Sequence, residues 1–174
     1  MSLKKNIYIP IEVMFRELTP RIYLAGCMAK AGFRVFLGSK PGVYNLISKK
    51  KIKEGIFFYK SAFGKNTKST VKLVKKCDHA TILDEELGIG MGYMPSALQG
   101  RLINLEYISK FFVLGKNIKN KIVDKIPKQK KKIIVSGWPL YDLCKKENLN
   151  YYLKEAKKIK DKHKNFYLFS SNFG

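Results

Sequence analysis

The sequence predicts an α/β fold built on a buried parallel sheet. Two observations carry that expectation: short β-rich apolar runs recur along the chain, and segments of helical period separate them. The runs are 6–11 (NIYIPI), 33–37 (FRVFL), 56–59 (IFFY), 80–83 (ATIL), 111–114 (FFVL), 133–135 (IIV) and 166–169 (FYLF). Each is too short for a helix and rich in β-branched and aromatic side chains, which suits strands covered on both faces. Helices are expected at 21–31, 43–50, 67–76, 97–108, 117–125 and 151–162.

Punctuation agrees with these boundaries. Gly32 follows the first helix where a chain-reversing glycine belongs, and Gly38-Ser39 followed by Lys40-Pro41-Gly42 ends a strand and opens a helix. Gly64-Lys65-Asn66 and Gly115 break the chain in the same way, 87–92 is a glycine-rich loop, and the lysines of 128–132 form a basic, solvated turn. Strand, helix and strand repeated through right-handed crossovers give a Rossmann-like parallel sheet of about six or seven strands with helices on both faces. With 174 residues the chain has room for one such domain, 1–165. The run at 166–169 and the loop at 170–174 read as a strand and loop crossing into a further, absent C-terminal domain; the alternative is a last strand that completes the sheet and a tail that frays.

Charge is the most conspicuous bulk property, a formal +22. Only Arg16, Arg21, Arg34 and Arg101 among the 35 basic residues are arginine. Arginine is the usual choice for bidentate base and phosphate readout, so an excess made almost wholly of lysine argues against specific nucleic-acid recognition. It is compatible with peripheral attraction to an anionic membrane. Cys27, Cys77 and Cys144 are odd in number and far apart, and His79 and His163 complete no recognised ligand spacing, so neither a disulfide framework nor a metal site is expected. The apolar stretch after Lys4 and Lys5 is interrupted by Pro10 and Glu12, which is unlike a signal peptide, and no run reaches a membrane-spanning length. A cytoplasmic protein, peripheral at most to the inner face of the membrane, is the expectation.

Open parallel sheets bind ligands beyond the carboxyl ends of their strands. That rule selects Glu12, Arg16, Glu17 and Arg21 after the first run, Gly38, Ser39 and Lys40 after the second, Asp84, Glu85 and Glu86 after the fourth, and Gly137 and Asp142 after the sixth. A carboxylate at such a mouth can take a proton from a hydroxyl, which makes Glu12, Glu17 and Glu85 the candidate catalytic residues. The others are candidate substrate contacts. Structural duties compete for the same residues: Glu17 and Thr19 can cap the first helix, Arg16 can pair with a carboxylate, and acids at 84–86 suit a helix N-terminus. Neither the glycine fingerprint of dinucleotide sites nor a phosphate-loop, nucleophile-elbow or zinc-protease motif is present.

The segments IYIPIEVMFRE, GFRVFLGSKPGVY, ILDEE, KFFVLG, IIVSGWPLYDL and FYLFSSNFG, in this order and spacing, resemble the N-terminal half of bacterial surface carbohydrate biosynthesis proteins. Those proteins are similar to glycosyltransferases of the GT-B architecture, with two Rossmann-like domains. The stretch SGWPLYD is also similar to the G-N-P-x-x-D turn of UDP-N-acetylglucosamine 2-epimerase relatives, with Trp138 where that pattern has asparagine. The resemblance implies an acceptor-side domain of a transferase that moves a sugar from a nucleotide-sugar to a glycan or lipid-linked acceptor in polysaccharide or lipopolysaccharide synthesis. It implies no cofactor and no metal, with the donor held mainly by the C-terminal domain. Epimerisation or glycerophosphate transfer on the same fold, and a non-catalytic basic module for nucleic acid or anionic membrane, are the alternatives.

Overall fold

A computed structural model describes residues 5–49, 54–60, 77–84, 87 and 105–169. Contacts divide the chain into two units, 1–140 and 141–174.

The first unit holds one six-stranded, all-parallel sheet. Its strands are β1 (Asn6–Ile11), β2 (Arg34–Ser39), β3 (Ile56–Tyr59), β4 (His79–Leu83), β5 (Lys110–Val113) and β6 (Ile133–Val135). Each falls within a residue or two of a predicted run. The spatial order is β2-β1-β3-β4-β5-β6, so the direction of winding reverses once, between β1 and β3. Helices α1 (Met14–Lys30), α2 (Lys40–Ser48) and α3 (Lys116–Lys125) flank the sheet.

Alternation along the strands explains why both faces are covered. Tyr8, Phe57, Ala80, Ile82, Phe111 and Val113 point to one face and pack with Val43 and Ile47 of α2 and Ile118 and Ile122 of α3. Ile7, Ile9, Phe58 and Leu83 point to the other, where Trp138 joins them and Leu24, Ala25 and Met28 of α1 pack over them. The result is the Rossmann-like α/β architecture expected from the pattern.

Three expectations need correction. Helix α1 begins at Met14, seven residues before the predicted start, and carries Pro20 inside it. A mid-helix proline removes one ladder hydrogen bond, yet Pro20 is buried in the same stripe as Glu17 and Arg21, so packing holds the helix through it. The described part of the predicted helix at 97–108 is a single 3-10 turn, Leu105–Tyr107. Residues 166–169 form no strand; they follow the last helix as irregular chain, and among the described residues none pairs with them as a strand requires. The predicted helix at 67–76, the glycine loop beyond Leu87, Gly64-Lys65-Asn66 and 170–174 lie outside the described residues.

The short helix α4 (Pro139–Leu143) leads into the second unit, which contains a 3-10 turn at Lys146–Asn148 and helix α5 (Asn150–His163). Among the described residues, no helix is long and apolar enough to cross a membrane.

Candidate functional site

The strand order reverses between β1 and β3, and in open parallel sheets such a reversal leaves a crevice at the carboxyl ends of the strands. The two strands at the reversal are paired only briefly. The β1–β3 ladder contains only Ile7↔Ile56 and Tyr8↔Phe57, whereas β1 and β2 stay paired for six residues to Ile11↔Ser39. Pro10, which has no N–H to donate, lies just past the last β1–β3 pair.

Five charged side chains meet at this mouth. Glu12, immediately after β1, is half exposed; its Oε1 accepts from Lys40 Nζ at 2.8 Å and its Oε2 lies 3.3 Å from Lys60 Nζ. Lys60, immediately after β3, donates to Glu17 Oε1 at 2.8 Å. Glu17 is fully buried, and its Oε2 accepts the Glu12 backbone N–H at 2.8 Å. Arg16 lies on the outer side, 3.7 Å from Glu17.

The fold explains each position. Glu17 sits in the first turn of α1 and reaches back past the N-cap Val13 to Glu12, whose backbone N–H is satisfied as the chain leaves the sheet. Ser39 is the N-cap of α2, its Oγ accepting the Gly42 N–H at 3.3 Å, with Pro41 in the first turn. That cap delivers Lys40 to the crevice, where its ammonium lies 5.9 Å from the ring centres of both Tyr44 and Tyr59.

Electrostatics keep the group ionised. The Lys40 hydrogen bond is the main reason the Glu12 carboxyl lies below its usual range, outweighing partial burial. Burial pushes Glu17 upward, but the Lys60 ammonium and the backbone N–H groups of Glu12 and Val13 together hold it low. Desolvation opposes the charge on Lys40 and Lys60, and their carboxylate partners more than offset it, raising both.

Beside the ion pairs, between the ends of β1 and β2 and not at the β1–β3 reversal itself, lies a cleft of about 510 Å³. Met14, Leu18, Leu37 and Pro41 make its apolar wall, and Glu12, Ser39 and Lys40 its polar side. Such a cleft suits a ligand with one apolar surface and several hydroxyls. Among the described residues, the one carboxylate lining it is Glu12.

The sequence-selected residues therefore separate into groups. Glu12, Gly38, Ser39 and Lys40 line one cleft. Glu17 lies beneath them, too buried to meet a substrate hydroxyl, and acts by positioning Glu12 and Lys60. Arg21 is buried too, its guanidinium 5.4 Å from the centre of the Phe58 ring, and it lines no part of the cleft. Asp84, fully buried just after β4, accepts the Leu87 N–H at 3.1 Å, two strands from β1 and so about 10 Å along the sheet. Glu85 and Glu86 lie outside the described residues. Gly137 follows the edge strand β6, four strand steps and about 19 Å from β1, with a φ of 74° that marks a turn. Asp142 belongs to the second unit and pairs with Lys145 at 2.6 Å.

No protein-family model, curated protein or solved structure matches this chain. Among the described residues, no three of His, Cys, Asp and Glu gather in a way that could hold a metal ion.

Lys60 is the residue that sequence reasoning missed. The strand-end rule that selected Glu12, Ser39 and Asp84 applies equally to the residue after 56–59, but a lysine does not stand out where lysine is everywhere.

Proposed function

We propose that this chain supplies the acceptor side of a glycosyl-transfer reaction, in which a sugar passes from a nucleotide-sugar to a hydroxyl of a glycan made for the bacterial cell surface. The observation that carries the reading is the Glu12 carboxylate, held ionised between Lys40 and Lys60 at the strand reversal and open to a partly apolar cleft.

An acceptor hydroxyl entering the cleft would replace Lys40 as the hydrogen-bond partner of Glu12 Oε1. As its oxygen bonds to the donor's anomeric carbon, the bond from that carbon to the nucleotide phosphate breaks. The hydroxyl proton then passes to Glu12 and the nucleoside diphosphate leaves. A carboxyl with a lowered pKa is a weak base, so the proton moves only as the hydroxyl becomes acidic in the forming bond. Protonating Glu12 ends its ion pairs with Lys40 and Lys60 and leaves the Lys60–Glu17 bond in place. Met14, Leu18 and Leu37 offer the apolar surface on which the C–H face of a sugar ring rests.

Saccharide binding tests this. In an NMR titration of the whole chain, a glycan acceptor is expected to shift the resonances of Glu12, Ser39, Lys40 and Lys60, and a nucleotide-sugar alone is not. Occupation of the cleft by the nucleotide-sugar, or a glycan array on which the chain retains no saccharide, contradicts the assignment.

A further inference from the structure

Helix α5 has 14 residues and none of them is buried, although an isolated helix of about this length is only marginal in water. Its apolar side chains are ordered nonetheless. Tyr152, Ala156, Ile159 and His163 follow the spacing of a single stripe, while Lys154, Lys157 and Lys158 fall on the opposite side and Lys160 and Lys162 on the flanks. At Lys164 the backbone turns with a φ of 51°, and the chain comes back so that the rings of His163 and Phe166 meet edge to face at 5.9 Å. Ala156, Ile159, Phe166 and Tyr167 line the resulting open groove, of about 760 Å³, together with Lys160 and Lys164. Beyond it Tyr167, Leu168 and Phe169 are 94%, 83% and 91% exposed. Residues 141–169 also carry eight lysines against four carboxylates.

We propose that this second unit docks on an anionic lipid bilayer. Helix α5 lies in the interface plane with its apolar stripe inward, Phe166 to Phe169 enter the boundary between headgroups and acyl chains, and the flanking lysines reach lipid phosphates. Charge complementarity and the apolar side chains select this occupant together. A nucleic acid would satisfy the lysines and leave three consecutive large apolar side chains in water. A bilayer takes up both, and it gives a helix with no buried residue the surface against which its stripe becomes stable. The inference is independent of the cleft in the first unit.

Co-sedimentation of the whole chain with phosphatidylcholine vesicles, with and without phosphatidylglycerol, tests it. Binding is expected only to the anionic vesicles, weakening as salt is raised. Lys160→Gln with Lys164→Gln is expected to weaken it by about fivefold per lysine. Tyr167→Ser with Phe169→Ser, which leaves the charge unchanged, is expected to weaken it about tenfold or more. Circular dichroism of each variant without vesicles checks that the fold is intact. Three results overturn the proposal: no retention by anionic vesicles, retention of the aromatic variant equal to that of the parent, or tighter binding to duplex DNA than to the vesicles at physiological salt.

Discussion

The backbone N–H of Glu12 donates to the buried carboxylate of Glu17 at 2.8 Å, and that one bond joins the end of the first strand to the first turn of its helix. Glu17 also holds Lys60, which is only 11% exposed along its side chain. Removing one partner leaves the other's charge partly compensated, since Glu12 stays 3.3 Å from Lys60 and Arg16 3.7 Å from Glu17, at about 1–3 kcal/mol. Glu17→Ala is expected to cost that much in urea unfolding and Lys60→Met a similar amount, with the double variant about 1–3 kcal/mol less destabilised than the sum.

The same carboxylate makes stability depend on acid. Glu12 and Glu17 both titrate below the ordinary value of 4.5 in the folded protein. Their contribution is therefore present above 4.5 and is lost as pH falls through the lower folded values. Urea midpoints measured from neutral pH downward are expected to fall across that window, and Glu17→Gln should flatten the decline. Lys40 and Lys60 act in the opposite direction, with a contribution intact below 10.5 and lost as pH rises through their raised values.

Glu12 separates chemistry from stability. Its side chain is nearly half exposed, so Glu12→Gln is expected to cost the fold no more than about 1 kcal/mol. On the proposed function Glu12 is the general base, and its loss should lower sugar transfer by about a hundredfold to ten-thousandfold with little change in acceptor affinity. Rate and binding measured on the same preparation distinguish the two effects.

Gly55 fixes the entry to β3. Its φ is 134°, and a Cβ there would stand 2.5 Å from the Asn6 carbonyl oxygen and 3.0 Å from the Tyr8 ring. Its N–H is held by Asp78, which also pairs with Lys5. Gly55→Ala combines backbone strain with a backbone clash and is expected to destabilise by roughly 3 kcal/mol, read as a lower urea midpoint.

The sheet was legible because a strand covered on both faces writes an unbroken apolar run, as NIYIPI and IFFY do. The start of α1 was not. Its first turns bury Glu17 and Arg21 while leaving Met14 and Phe15 in solvent, the inverse of the pattern that marks an amphipathic helix. The run FYLF misleads in the opposite way, since composition does not distinguish a paired strand from an exposed apolar segment. Glu12 was found by its place after a strand. Its partner Lys60 followed the same rule, and only the tertiary pairing across the strand reversal distinguishes it from the other lysines.

The most direct test is a crystal structure of the chain with a saccharide acceptor. The expected result is an acceptor hydroxyl within hydrogen-bonding distance of a Glu12 carboxylate oxygen, with Lys40 displaced and the Lys60–Glu17 bond retained. A saccharide seated elsewhere on the molecule, with Glu12 still closed on Lys40, contradicts the assignment of this crevice as the working surface.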